Sequence, residues 1–258
     1  MTQFTRAIAR RPAANFAGGL TTSSLGSPDF ERTLEQHARY CDALRDAGVA
    51  VTMLEPDDRH PDSTFVEDTA IVARGCAIVT RPGAASRLGE AAAMREPLSR
   101  FFSSLAEIEA PGTVDGGDVC EADARAFIGL SHRTNRSGAE QLAAWFAING
   151  ISASIVDIRD IDSILHFKSG VAYVGDGCFV AIDELIGRLD IPRSSIVATA
   201  PDEEYGANCV RVNDVVLVAS GHPHLERDLA ARGFTPVALD MSEYQKMDGG
   251  LSCLSIRF

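Results

Sequence analysis

Nowhere in the 258 residues does an apolar run approach the roughly 18 that a membrane span requires. Positive charge is also in short supply. Against 24 Lys and Arg stand 36 Asp and Glu, a net charge of −12. That balance argues against a nucleic-acid partner, whose phosphates need a basic face, and is compatible with a small cationic one. Paired cysteines are missing too. Cys41, Cys76, Cys120, Cys178, Cys209 and Cys253 stand singly, with no C-x-x-C. The usual zinc spacing is thereby excluded, and a disulfide framework is not expected in a chain this long. A reducing cytoplasm is the expected location. No acid precedes Asp29, whereas Arg6, Arg10 and Arg11 do; organelle transit segments share this pattern, but an opening strand over Thr5 to Ala9 is the preferred reading.

What is present is an ordinary globular composition, 45% hydrophobic and 23% charged, enough for one large domain or two small ones. After a Gly/Ser/Thr-rich loop, Ser27-Pro28 reads as a cap and first position of a helix. Phe30, Leu34, Cys41 and Leu44 share a face of that helix, and Gly48 stops it. Val49 to Leu54 follows as a buried strand. From Phe65 the chain repeats a phrase: two β-rich runs about a tight turn, a loop, a helix and a further strand. The turns fall at Arg74-Gly75, Asp123, Gly175-Asp176-Gly177 and Asn213-Asp214. This period signals an array of units. One hairpin strand remains at the C-terminus, and the N-terminal segment holds a helix and a closing strand. A closed ring of five α/β units, the last built from both chain ends, satisfies this arithmetic and removes exposed sheet edges.

The first strand of each unit is preceded by a polar or glycine-rich segment: Glu67-Asp68, Asp115-Gly116-Gly117-Asp118, His166-Phe167-Lys168, Gly206-Ala207-Asn208, and Asp248-Gly249-Gly250. Equivalent positions of a ring point toward one axis, so acids, a histidine and the thiol of Cys253 should converge there. These are the groups for covalent chemistry on a cation: carboxylates to hold it, a thiolate to attack, an imidazole to move protons. Each has a plainer reading. Glu67-Asp68 reads equally as a solvated turn, Asp115 as a cap beside glycine, His166 as a structural histidine, and Cys253 as part of a buried strand entered through two glycines. His222 and His224 read as surface residues at a helix start.

Taken together and in order, these residues resemble the dimethylarginine dimethylaminohydrolases of the guanidino-group-modifying pentein superfamily. The likeness runs from Ala7 to Phe258 and is carried by residues 61–68, Thr80-Arg81-Pro82-Gly83, residues 115–118, Arg133-Thr134-Asn135, residues 165–168, Ala207-Asn208-Cys209 and residues 248–253. The resemblance implies one catalytic domain over 1–258, a five-bladed α/β propeller. It implies hydrolysis of Nω-methylated arginines to citrulline and a methylamine, with no metal or organic cofactor. By position, Cys253 resembles the nucleophile, His166 the general acid/base, and Asp115 the acid orienting it, where several bacterial relatives carry Glu. Asp62, Glu67 and Asp68 resemble substrate-binding acids, Arg87 and Arg133 the partners of the α-carboxylate. Leu20 resembles the loop residue that closes over the substrate, and Met247 lends backbone beside the nucleophile. The expected partner is thus a small cationic amino acid, with neither nucleic acid nor membrane involved, and the chain is compatible with a homodimer. An arginine deiminase or amidinotransferase of the same superfamily, or a catalytically silent propeller acting as a binding module, are the alternatives.

Overall fold

The structure is a computed structural model describing residues 3–258. Five three-stranded sheets make it up, each with its middle strand antiparallel to one neighbour and parallel to the other. In the first unit the strands are Ala70–Ala73, Cys76–Val79 and Leu105–Glu107, with helix Leu88–Ser99 crossing between the last two. The second has Val119–Ala122, Arg125–Leu130, helix Arg136–Ile148 and Ser152–Asp157. In the third, Val171–Gly175 and Cys178–Ala181 precede the short helix Asp183–Ile186 and strand Ile196–Ala198. The fourth has Val210–Val212, Val215–Ala219, helix Pro223–Ala231 and Pro236–Leu239. Together with the fifth sheet these form a five-bladed α/β propeller, as the repeat predicts.

Local chemistry explains the repetition. The four hairpins turn on Arg74, Asp123, Asp176 and Asn213, all in the left-handed region with φ between 50° and 55°. Two of them pair this residue with a glycine also at positive φ, Gly75 and Gly177, the geometry that tight two-residue hairpins demand. The parallel return strand needs a crossover, which each helix supplies.

The fifth sheet is the seam. Ile256–Arg257, from the C-terminus, pairs antiparallel with Arg6–Arg10, which runs parallel to Ala50–Leu54. Thr5 N and Arg6 N both donate to Phe258 O, at 2.9 and 2.8 Å. The long helix Phe30–Asp46 packs behind this sheet through Tyr40, Cys41 and Leu44, so Cys41 is a core residue as expected. Tyr40 Oη lies 2.6 Å from Ser255 Oγ across the seam.

Four expectations change. The helix cap is Asp29, whose side chain accepts from Arg32 N, so Ser27-Pro28 lies outside the helix. The strand after it is only half-buried, because it forms the outer edge of its sheet. Cys253 is not on a strand: it sits on the single turn Ser252–Leu254 that precedes one. His222 is buried, its Nδ1 2.8 Å from Ala219 O and its ring against Tyr205. Among the described residues no helix is long and apolar enough to cross a membrane.

Asn213 fastens the seam to the fourth unit. Its Oδ1 accepts from Phe4 N at 2.8 Å, and its Nδ2 donates to Phe4 O at 3.0 Å and Ala47 O at 2.8 Å. Asn213→Ala removes these bonds and places alanine at positive φ, so it should cost about 2–4 kcal/mol in urea unfolding. Asn213→Gly should cost less, since glycine accepts that φ freely. Equal loss from both variants would assign the effect to the hydrogen bonds alone.

Candidate active site

One short turn stands before the first strand of every unit: Val66–Thr69, Gly116–Asp118, Phe167–Gly170, Glu204–Ala207 and Ser252–Leu254. Their common phase brings them to the axis. Glycine allows the approach. A Cβ on Gly117 would sit 2.9 Å from the His166 ring, and one on Gly250 would sit 2.5 Å from the Asn208 side chain. Asn208 Oδ1 accepts from Ser252 N at 2.9 Å and so pins the turn that carries the thiol. Beneath the loop leading into it, Phe16, Phe65 and Tyr244 form an aromatic trio with centroids 5.5–6.2 Å apart.

Leu20, Asp62, Asp68, Arg87, Arg133, His166, Met247 and Cys253 line one small pocket. His166 Nε2 is 3.0 Å from Asp115 Oδ2, so the shorter acid reaches the imidazole. Asp115 is fully buried: its Oδ1 accepts from Gly83 N at 2.8 Å, and Arg133 Nη1 lies 3.5 Å from its Oδ2. Asp68 accepts from Gly117 N at 2.8 Å and pairs with Arg87 Nη1 at 2.6 Å. Neither Glu67 nor Asp68 is solvated; both are buried.

Two predicted residues take unexpected positions. Arg87 spends most of its donors within the protein, on Asp68, on Glu90 and on the carbonyl of Phe65 at 3.1 Å. Arg133 is the more open of the two arginines. Glu67 turns its carboxylate away from the thiol pocket. Its Oε1 meets Lys168 Nζ at 2.5 Å and Arg257 Nη2 at 3.3 Å, and its Oε2 accepts from Ser252 Oγ at 2.8 Å. It lines a separate cavity of about 700 Å³ at the opposite mouth of the ring. Successive residues of this 3₁₀ turn point about a third of a turn apart, so Asp68 faces the thiol and Glu67 faces away.

A loop covers the pocket. Leu20 N donates to both oxygens of Asp62, at 3.1 and 3.2 Å. Thr22 N donates to Asp248 Oδ2 at 2.6 Å, and the hydroxyls of Thr21 and Thr22 add to it. The free volume left is about 20 Å³, room for about one water.

The electrostatics push both the thiol and the imidazole toward their protonated forms. Burial, with Glu67 and Asp68 adding to it, pushes the Cys253 thiol up to about 12. Burial also works against the charge on His166, but Asp68, the hydrogen bond to Asp115 and the charge of Asp118 outweigh it and carry the imidazole up to about 9. Burial opposes ionisation of Asp68 as well; His166 and Arg87 overcome it and hold that carboxyl down at about 2. At neutral pH the resting pair is therefore a protonated thiol and an imidazolium. Asp68, Asp115 and His166 offer ligand atoms within 4.8 Å of one another, the spacing of a metal site. Those acceptors already face protein donors, and the guanidinium groups of Arg87 and Arg133 lie against them. The cluster fits an internal ion-pair network.

Sequence reasoning assigned no part to Asp118, although it belongs to the Asp-Gly-Gly-Asp run. It is fully buried and bonded to Ser131, Thr134 and Phe167.

A family described as N,N dimethylarginine dimethylhydrolase, eukaryotic, matches residues 27–204. The N(G),N(G)-dimethylarginine dimethylaminohydrolase of Pseudomonas aeruginosa is 42% identical over 256 residues, covering 99% of this chain and 100% of its own. The protein of the same name in Streptomyces coelicolor is 35% identical, covering 98% and 96%. The crystal structure of a cysteine-to-serine mutant of the Pseudomonas enzyme complexed with citrulline superposes with a TM-score of 0.95 at 40% identity, covering each chain completely.

The His166 shift has a consequence for stability. Its folded value, about 9, lies above the ordinary 6.5. The folded state therefore holds that proton more tightly than the unfolded chain does. This stabilisation is complete below pH 6.5 and is lost as pH rises to 9, up to about 3 kcal/mol. Urea unfolding of wild type should show this fall across pH 6.5–9, and His166→Gln should largely remove it. A variant with the wild-type pH dependence would assign the fall to another group.

Proposed function

The chain belongs to the dimethylarginine dimethylaminohydrolase family, and we propose that it hydrolyses Nω-methylated arginines to citrulline and dimethylamine or methylamine through a thiouronium on Cys253. The observation that carries this reading is the juxtaposition, in one closed pocket, of a protonated thiol, an imidazolium held by Asp115, and the carboxylates of Asp62 and Asp68. Such a pocket suits a guanidinium. Arg133 supports recognition of the α-carboxylate, with Arg87 behind it holding Asp68. Asp62, tied to Leu20, supports closure of the loop over a bound amino acid.

The chemistry follows from the charges. A thiol near 12 is a poor nucleophile at neutral pH. A guanidinium arriving beside it offsets the acids that raise it, and the thiol proton leaves to solvent. The thiolate attacks the central guanidinium carbon. Imidazolium His166 gives its proton to the departing methylamine, which leaves neutral. Neutral His166 then takes a proton from water, and the hydroxide attacks the thiouronium carbon. Collapse expels the Cys253 sulfur and leaves the urea group of citrulline. Asp68 and Asp115 stay ionised throughout and stabilise positive charge at carbon and imidazole. Glu67 enters this scheme as a support beneath the nucleophile rather than as a contact to the guanidinium. The six unpaired thiols support a reducing, cytoplasmic setting.

Cys253→Ser should keep the fold and abolish release of dimethylamine and citrulline, while serine at the other five cysteines leaves turnover largely intact. His166→Ala should lose about 10²- to 10⁴-fold. Normal turnover by either variant would refute the assigned role. Asymmetric dimethylarginine should be preferred over arginine by at least about two orders of magnitude in kcat/KM. Each buried methyl adds roughly 0.8 kcal/mol, and arginine's extra N–H groups left unpaired cost about 1–3 kcal/mol apiece. Comparable values for the two substrates would move the enzyme to the arginine deiminase reading.

A further inference from the structure

Asp118 lies outside the pocket, has no solvent contact and touches no residue that could be substrate. Its bonds nevertheless reach both halves of the site. Oδ1 accepts from Phe167 N at 2.9 Å, the peptide immediately after His166. Oδ2 accepts from Ser131 Oγ and Thr134 Oγ1, each at 2.6 Å. Those hydroxyls in turn accept from backbone: Thr134 Oγ1 from Asp115 N at 3.1 Å, Ser131 Oγ from Arg133 N at 2.9 Å and Thr134 N at 3.0 Å.

We propose that Asp118 is the positioning residue of this site: its carboxylate, through one peptide and two hydroxyls, sets both the Asp115–His166 pair and the loop that presents Arg133. The proposal rests on the activity proposed above. Its logic is directional. An ionised carboxylate can only accept, so both hydroxyl protons must point at Asp118. Their oxygens are then free to receive the N–H groups of Asp115, Arg133 and Thr134. An amide in the same place breaks this order. With its oxygen on Phe167 N, its NH₂ would meet two hydroxyl oxygens that already accept from backbone, and the hydroxyl protons would have no acceptor. Burial pushes Asp118 up to about 6, with His166 and the two hydroxyls countering it, and the three donors directed at its oxygens suit the ionised form.

Two arms leave Asp118, and each can be cut alone. Thr134→Val removes the hydroxyl that holds Asp115 N and keeps the volume; kcat should fall at least about tenfold with KM within about threefold. Ser131→Ala frees the peptide of Arg133; KM should rise about tenfold with kcat within about threefold. Asp118→Asn should lose both, about 10²-fold or more in kcat/KM. A readout independent of turnover is the NMR titration of His166. The charged groups facing that ring are Asp68, Asp115 and Asp118, with Arg87 and Arg133 beyond them, Cys253 across the pocket and Lys168 on its own turn. Removing one negative charge should lower the His166 midpoint from about 9 by about one unit. Circular dichroism and urea unfolding of each variant establish that the fold persists. Loss of kcat and raised KM in equal proportion in both hydroxyl variants, or an unmoved His166 midpoint in Asp118→Asn, would overturn the proposal. If wild type failed to release dimethylamine from methylarginine, the activity itself would be wrong, and the His166 midpoint would still decide whether Asp118 governs the imidazole.

Discussion

At the foot of the axis one carboxylate beneath the Cys253 turn ties three turns and the closing strand together. Glu67 receives Lys168 from the turn that carries His166, Ser252 from the turn that carries Cys253, and Arg257 from the strand that closes the ring. Glu67 itself precedes Asp68 on a third turn. A single ion cluster therefore joins, from below, the turns that bear the thiol, the imidazole and Asp68. Such a cluster adds little net stability, because desolvation offsets attraction, but removing one member leaves buried charge unpaired. Its value is geometric. The chain contains only two lysines, and one of them is placed here.

A second pattern runs across the site. Acids around the pocket favour the protonated form of both groups. Asp68 and Asp118 raise the imidazole, whereas Glu67 and Asp68 raise the thiol. Asp68 takes part in both. The same negative field thus holds a proton on His166 and keeps Cys253 from losing one. A cation in the pocket would offset that field at the thiol.

Much of this was legible in the chain. The left-handed turn residues and their spacing announce the hairpins, and the leftover strand at the C-terminus announces the seam. The clustering of Cys253, His166 and the acids followed from their common phase in the repeat. What escaped was long-range. Cys253 reads as strand because Leu251, Leu254 and Ile256 satisfy an apolar pattern, yet the bond from Ser252 N to Asn208, far away in sequence, bends that segment into a turn. Asp29 and Ser27 are both good caps, and the choice between them falls to Glu243, which accepts from Asp29 N. The direction of Glu67 and the role of Asp118 depend on partners in other units. A buried carboxylate beside glycine is written in the same letters as a solvated one.

The seam has a consequence for how the protein comes into being. Pairing Ile8 with Ile256 joins points separated by nearly the whole chain, and closing a loop of that size costs on the order of 5 kcal/mol in chain entropy. Contacts of such sequence separation must meet that cost before they contribute anything in return. The turn bearing Cys253 is held between this closure and the ion cluster below it, so the thiol is placed by contacts that join both ends of the chain. Its burial there raises the thiol to about 12. The two chain ends thus jointly bury the sulfur that they position.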